Sequence, residues 1–248
     1  MKYIIAIVIT ASVFVYGVLV GEYQIFPFEQ LQLTKQFIAG DNWLEKRCHG
    51  HVKRYAFFAQ IAKEGNAKHV FFGDSVVDGL RSENFFGIAY SKMASSGNIV
   101  ECLDLIGSDL IALKPQNIII YLGGNDADGQ GRQSVTELSA SYLTFIEKLN
   151  AIGTNVVIHG IHRGYPGTRD QSYADDLNDS LRNIAGTTNS HFIEPFGLLD
   201  FAENQANFDE LTYDGEHLKA AAYLQWLEYI DRNLPESFPK FLVTKNSK

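Results

Sequence analysis

Positive charge is scarce in this chain. The 29 Asp and Glu outnumber the 21 Lys and Arg, for a net charge of −8 over 248 residues. That balance argues against nonspecific binding of nucleic acid. Cysteine is scarcer still, with only Cys48 and Cys102. There is no cysteine pair at zinc-module spacing and no internal repeat, so neither a zinc module nor a solenoid is expected. His49-Gly50-His51 beside Cys48 supplies metal-binding residue types, but the four ligands of a closed site are not assembled. No metal or cofactor is expected. The two cysteines can pair in an oxidising compartment, or Cys102 can be a buried thiol.

What the chain does have is apolar material. A hydrophobic content of 46% suffices for a substantial core. Lys2 is followed by Ile4 to Val20 without a charge, and the first charge after that run is Glu22. The length lies between a signal-peptide core and a membrane span. No Ala-x-Ala cleavage site is visible, so residues 1–21 are expected to be an uncleaved anchor rather than a signal peptide. Lys2 before the run and acid after it place the rest outside the cytoplasm, at a bacterial inner membrane facing the periplasm. Cleavage would make the protein secreted. Residues 22–66 form an extension with Phe26, Phe28, Leu31, Leu33 and Phe37 for packing on the domain that follows. That domain is expected over 67–240, with a tail at 241–248.

From Lys68 onward, predicted strands alternate with helices. The strands fall at about 69–73, 87–93, 117–122, 155–161 and 191–195, and the helices at about 97–113, 134–151, 171–186 and 215–233. The alternation implies α/β architecture: three α/β/α layers, flavodoxin-like, with about five parallel strands. Ligands of such sheets bind at the carboxyl ends of the strands.

Three short segments sit at or beyond such ends. Gly73-Asp74-Ser75 closes the apolar run His69–Phe72, where a helix begins. Backbone N–H groups are unpaired at that point and favour negative charge. Ser75 is either a nucleophile there or a helix cap. Gly123-Gly124-Asn125-Asp126 closes Asn117–Leu122 and offers the Asn125 amide as a neutral donor, or forms a polar turn. In Asp214-Gly215-Glu216-His217, a carboxylate and an imidazole lie three apart before an amphipathic helix. Asp214 can hold one ring nitrogen and leave the other as base. Glu216 should point elsewhere on that turn, so that its replacement is nearly silent. The alternative is an Asp cap followed by a surface His.

With these blocks in this order, the chain resembles the SGNH hydrolases, the GDSL lipase/esterase family. The resemblance spans about Lys68 to Leu234. It implies Ser75 as nucleophile, Asp214 and His217 as its triad partners, and an oxyanion hole from Ser75, Gly97 and Asn125. Gly97, in Ser95-Ser96-Gly97-Asn98, falls where the family places a glycine that donates through its backbone. Val76 stands where the family name implies leucine, and Lys219 stands where asparagine is frequent. Neither change removes a catalytic group. No Gly-x-Ser-x-Gly pentapeptide occurs, which speaks against the α/β-hydrolases.

The expected activity is hydrolysis of carboxylic esters through an acyl-enzyme. Small-molecule, saccharide or lipid esters are the substrate classes. An O-acyltransferase with the same triad, or a noncatalytic saccharide-binding domain of the same fold, is the alternative. Asp74, His159, His162, Arg163 and Tyr213 are candidates for the substrate pocket. His159 and His162 serve equally well as structural residues of a polar loop.

Overall fold

The computed structural model describes Tyr16 and residues 43–64, 68–80, 90–164, 169–199 and 208–241. The chain divides into two compact units, Met1–Arg47 and Cys48–Lys248. Of the first, only Tyr16 and residues 43–47 are described. The expected anchor over 1–21 therefore lies outside the described residues, Tyr16 apart. No helix among the described residues is long and apolar enough to cross a membrane.

The second unit is built on a five-stranded parallel sheet. In chain order the strands are β1 (His69–Gly73), β2 (Tyr90–Ala94), β3 (Asn117–Tyr121), β4 (Asn155–His159) and β5 (Ser190–Ile193). Their order across the sheet is β2-β1-β3-β4-β5. β3 is buried along its whole length, as its unbroken Ile-Ile-Ile run requires of a central parallel strand. Part of the strand expected at 87–93 falls on residues outside those described.

The helices are α1 (Trp43–Glu64), α2 (Ser75–Asp78), α3 (Leu103–Ala112), α4 (Gly124–Ala127), α5 (Val135–Ala151), α6 (Gln171–Thr187), α7 (Phe208–Leu211) and α8 (Ala220–Asn233). α5 starts at a capping box in which Ser134 and Glu137 satisfy each other's backbone N–H. It buries Leu138, Tyr142, Phe145, Ile146 and Leu149, which is the helical period read in the sequence. Successive residues of β1 point to opposite faces. Phe72 meets Tyr55 of α1 and Phe145 of α5, while Phe71 meets Trp226 of α8 and Phe241. Helices thus cover both faces, giving the three layers expected.

Three boundaries differ from the sequence reading. The helix expected at 97–113 begins only at Leu103, after a 3-10 turn at Val100–Cys102, so Gly97 lies in a turn. The helix expected from 215 begins at Ala220. Asp214–His217 is a tight bend closed by an antiparallel bridge between Thr212 and Leu218. Finally, residues 43–64 form one long helix where the sequence suggested a mixed region.

Cys48 of α1 and Cys102 form a disulfide, and both are fully buried. At the other end of the chain, a strap crosses the amino-terminal ends of the strands. Asn117 Nδ2 donates to the Ser237 carbonyl at 3.0 Å and the Tyr90 hydroxyl to the Pro239 carbonyl at 2.7 Å. Phe241 stacks on Tyr90 with ring centroids 4.2 Å apart.

Candidate active site

Ser75 is the first residue of α2, immediately past the end of β1. Its helix is capped by Asp74, whose carboxylate accepts from Val76 N at 3.0 Å. Ser75 is therefore not the cap, and its hydroxyl is not engaged in that role. Asp74 is buried, and burial above all raises its carboxyl to about 6, against the hydrogen bond from Val76 and the field of Arg169. Asp74 thus caps the turn that holds Ser75 and is buried, not set in an open wall. Gly73 is needed by close approach. A Cβ there would lie 2.4 Å from both the Tyr121 carbonyl oxygen and Val77 Cγ2.

The turn after β2 lies against this strand end. Ser95 N donates to the Gly73 carbonyl at 3.3 Å. Asn125 reaches the same turn from the end of β3, its Nδ2 donating to the Asn98 carbonyl at 2.9 Å. One hydrogen of that amide remains for another acceptor. Gln130 Nε2 holds Asn125 Oδ1 at 3.0 Å and so fixes which end of the amide donates. Gly123 begins this turn at a φ of 126°, a conformation that side chains disfavour. Asp126 beside Asn125 accepts from Val100 N through both oxygens. Burial, outweighing that hydrogen bond, pushes its carboxyl up to about 7.

In the bend before α8, Asp214 accepts three times. Its Oδ1 takes the N–H of Glu216 at 3.1 Å and of His217 at 2.8 Å, and its Oδ2 meets His217 Nδ1 at 2.7 Å. Partial burial works against its ionisation, but these bonds outweigh burial and hold its carboxyl below the usual range. With Nδ1 engaged, Nε2 is the nitrogen left to move a proton. Ser75 and His217 do not hydrogen-bond in this structure, although the His217 ring acts electrostatically on Asp74, the residue before Ser75.

The bend is tied to the rest of the rim by a residue the sequence reading missed, Arg169. Its side chain is 3% exposed and holds Asp128 through Nε at 2.7 Å and Nη2 at 3.2 Å. Nη1 donates to the His162 carbonyl at 2.7 Å, and Nη2 lies 3.5 Å from Glu216 Oε1. Burial opposes its charge, but Asp128 and its other neighbours overcome that and raise its affinity for the proton. Glu216 therefore does not point away from the site as expected. Burial first, and then the Asp128 charge, push its carboxyl up to about 7. A tight bend with no helical period turns that side chain inward. No motif advertises Arg169, whose partners come from three separate loops.

The other pocket candidates divide. His159 is in the core rather than at the pocket. Its Nδ1 bonds the Gly160 carbonyl at 2.6 Å and its Nε2 accepts from Trp226 at 3.0 Å, and burial lowers it to about 4. His162 is buried with Nδ1 on the Tyr121 hydroxyl, and its Nε2 lies near the Glu216 backbone without a well-formed hydrogen bond. Burial, with Arg169, holds it well below the usual imidazole range. His162 and Arg163 border a groove of about 420 Å³ with Asp175, Asn178 and Arg182. A second cleft of about 460 Å³ is lined by Asp126, Asp128, Arg132, Arg169 and Tyr173. Tyr213 is 74% exposed beside Asp214.

A parallel sheet that presents a serine, an amide donor and an Asp–His pair at its rim defines a class, that of the serine ester hydrolases on a flavodoxin-like sheet. Residues 71–224 match the GDSL-like lipase/acylhydrolase family, and the chain belongs to it. The protein is thus a GDSL-type ester hydrolase. No curated protein matches the chain in sequence. Among solved structures, a Streptococcus pneumonia protein whose name refers to platelet activating factor shares 19% identity at a TM-score of 0.63, covering 82% of this chain and 97% of its own. An acetylxylan esterase from Geobacillus stearothermophilus shares 18% identity at a TM-score of 0.56, covering 72% and 97%. Its catalytic mutants replace a serine, an aspartate and a histidine. A lipase/acylhydrolase from Enterococcus faecalis shares 18% at a TM-score of 0.54, covering 66% and 93%. At these identities the likeness bears on the fold.

Proposed function

We propose that the protein removes short O-acyl groups, such as acetyl, from saccharides by way of an acyl-enzyme on Ser75. The single observation that carries the reading is the Asp214–His217 contact at 2.7 Å, on the rim where Ser75 is left free by the Asp74 cap. His217 Nε2 takes the Ser75 proton as Oγ bonds to the acyl carbon. The oxyanion is met by the N–H groups of Ser75 and Gly97 and by Asn125 Nδ2. His217 then gives the proton to the departing sugar hydroxyl, and the C–O bond to it breaks. Water, deprotonated by the same nitrogen, attacks the acyl-enzyme, releases the acid and restores Ser75.

The saccharide part of the reading is supported by the two clefts. Their walls are mostly polar, with Pro195 and Phe196 in the first, and suit a hydroxylated ligand better than a long acyl chain, although neither is lined by Ser75 or His217 themselves. The acetylxylan esterase among the similar structures points the same way. Ile4 to Val20 would anchor this activity outside the cytoplasm, a setting in which a disulfide such as Cys48–Cys102 persists. Fractionation of the full chain with membranes checks that placement.

The test is turnover of acetylated xylo- and chito-oligosaccharides, with free sugar alcohols present as acceptors. Ser75→Ala should abolish deacetylation and fluorophosphonate labelling while the fold stays intact. Wild-type rates in that variant, or labelling of another serine, would overturn the assignment of the nucleophile. Acyl transfer to the sugar alcohols would make the enzyme a transferase.

A further inference from the structure

We propose that Tyr55 is a positioning residue for the oxyanion hole, supplied by a helix outside the family segment. The inference rests on the reading of Ser75, Gly97 and Asn125 as the acyl-transfer site. α1 ends before residue 71, where the family match begins. Cys48, His51 and Tyr55 recur along it at i, i+3 and i+7, so they share one face. All three are buried, and each is bonded to the rim. Cys48 is joined to Cys102, just beyond the oxyanion turn. His51 Nδ1 bonds Ser95 Oγ at 2.8 Å, at the start of that turn.

Tyr55 makes the decisive contacts. Its hydroxyl donates to the Gly73 carbonyl at 2.9 Å and accepts from Asn98 Nδ2 at 3.1 Å. The Asn98 carbonyl in turn accepts from Asn125 Nδ2. One linked set of bonds therefore runs from the Asn125 donor, through the residue after Gly97, to the strand that ends at Ser75. Tyr55 is the only member of that set that none of the family's blocks supplies.

The ring and the hydroxyl of Tyr55 do separable things. The ring packs on Phe72, with centroids 5.4 Å apart, and a phenylalanine would keep that contact. Without the hydroxyl, Asn98 Nδ2 and the Gly73 carbonyl lose a shared partner at a residue that is 0% exposed, where water does not readily replace it. The turn then shifts to satisfy them, and the donors move with it. Donors of this kind matter most when charge develops on the carbonyl oxygen, so the loss falls on kcat and spares KM.

Kinetics of the full chain on a chromogenic acetyl ester test this directly, with thermal melting measured on the same samples. Tyr55→Phe should lower kcat by about tenfold, as small misplacements in an active site do, and leave KM within about twofold. Fluorophosphonate labelling of Ser75 should slow in parallel, because phosphonylation builds charge at the same donors. A folded Tyr55→Phe protein with wild-type kcat and labelling overturns the proposal. So does a change confined to the melting temperature. Should Tyr55→Phe fail to fold, Asn98→Ala decides by the same criteria, because it cuts only the side-chain link to Tyr55. A wild-type protein in which Ser75 resists labelling would instead sink the underlying site assignment, and the two failures are therefore distinguishable.

Discussion

The two sides of the catalytic rim are held by different means. On the Ser75–Asn125 side, the bonds join residues far apart in sequence: 18 positions for Tyr55 and Gly73, 27 for Asn98 and Asn125, and 44 for His51 and Ser95. Asn125 is 7% exposed. On the other side, Asp214 bonds residues two and three positions on, and the Asp214 and His217 side chains are 56% and 40% exposed. On the roles proposed above, the difference follows from what each side would do. Oxyanion donors help most when they need no reorganisation, so they are set by the whole fold. A base would have to pass a proton between two oxygens, and a tight bend closed by the Thr212–Leu218 bridge and tethered through Arg169 suffices for that.

This contrast can be broken first at Asn125. Asn125→Ala should lower kcat by about a hundredfold to a thousandfold, the usual loss for one oxyanion donor. KM should change less, because the bond strengthens in the transition state. Altered KM with unchanged kcat would place Asn125 in ground-state binding and leave the oxyanion side without its buried donor.

A smaller effect is expected at Glu216. Its carboxyl titrates near about 7 and is neutral below that. When ionised it stands beside His217, where its charge favours the imidazolium formed during the reaction. Glu216→Gln imitates the neutral form. The ratio of wild-type to variant kcat should therefore be near one at low pH and grow as pH rises through about 7, reaching about tenfold, one pKa unit's worth of interaction. A ratio that does not change with pH would show that Glu216 only anchors the bend.

The last test reads stability, not turnover, on the buried side. Burial raises Asp126 to about 7, whereas an unfolded Asp titrates near about 3.9. The folded state thus binds this proton more tightly. That stabilisation is fully present below about 4 and is lost as pH rises through about 7. Asp126→Asn abolishes the titration. The melting temperature of the wild type minus that of the variant should fall as pH rises across this window. A constant difference, measured by calorimetry, would mean that Asp126 is ionised throughout.

Much of this was legible in the sequence, for a local reason. Each block is a strand end followed by a turn, and both the apolar run and the turn residues are contiguous. Ile118–Ile120 and the glycines after them announce β3 and its loop without reference to the rest of the fold. α1 was not legible, because its inward face carries Cys48, His51 and Tyr55 while Phe57 points outward at 60% exposure. Apolar periodicity does not register such a face. Arg169 was hidden for another reason. Its bonds to Asp128, His162 and Glu216 exist only once three loops meet. Glu216 was misread because a helical turn was expected where the Thr212–Leu218 bridge closes a bend.

The strap formed by Ser237, Pro239 and Phe241 settles a question of orientation. It crosses the strands at His69, Tyr90 and Asn117, and Ser75 and Asn125 stand beyond their opposite ends. Phe241 therefore lies at the end of the sheet opposite Ser75 and Asn125. Coupling the protein to a bead, an electrode or a carrier through a residue of the strap would turn the Ser75 face of every molecule outward. Immobilisation there should leave the route for bulky acylated chains open.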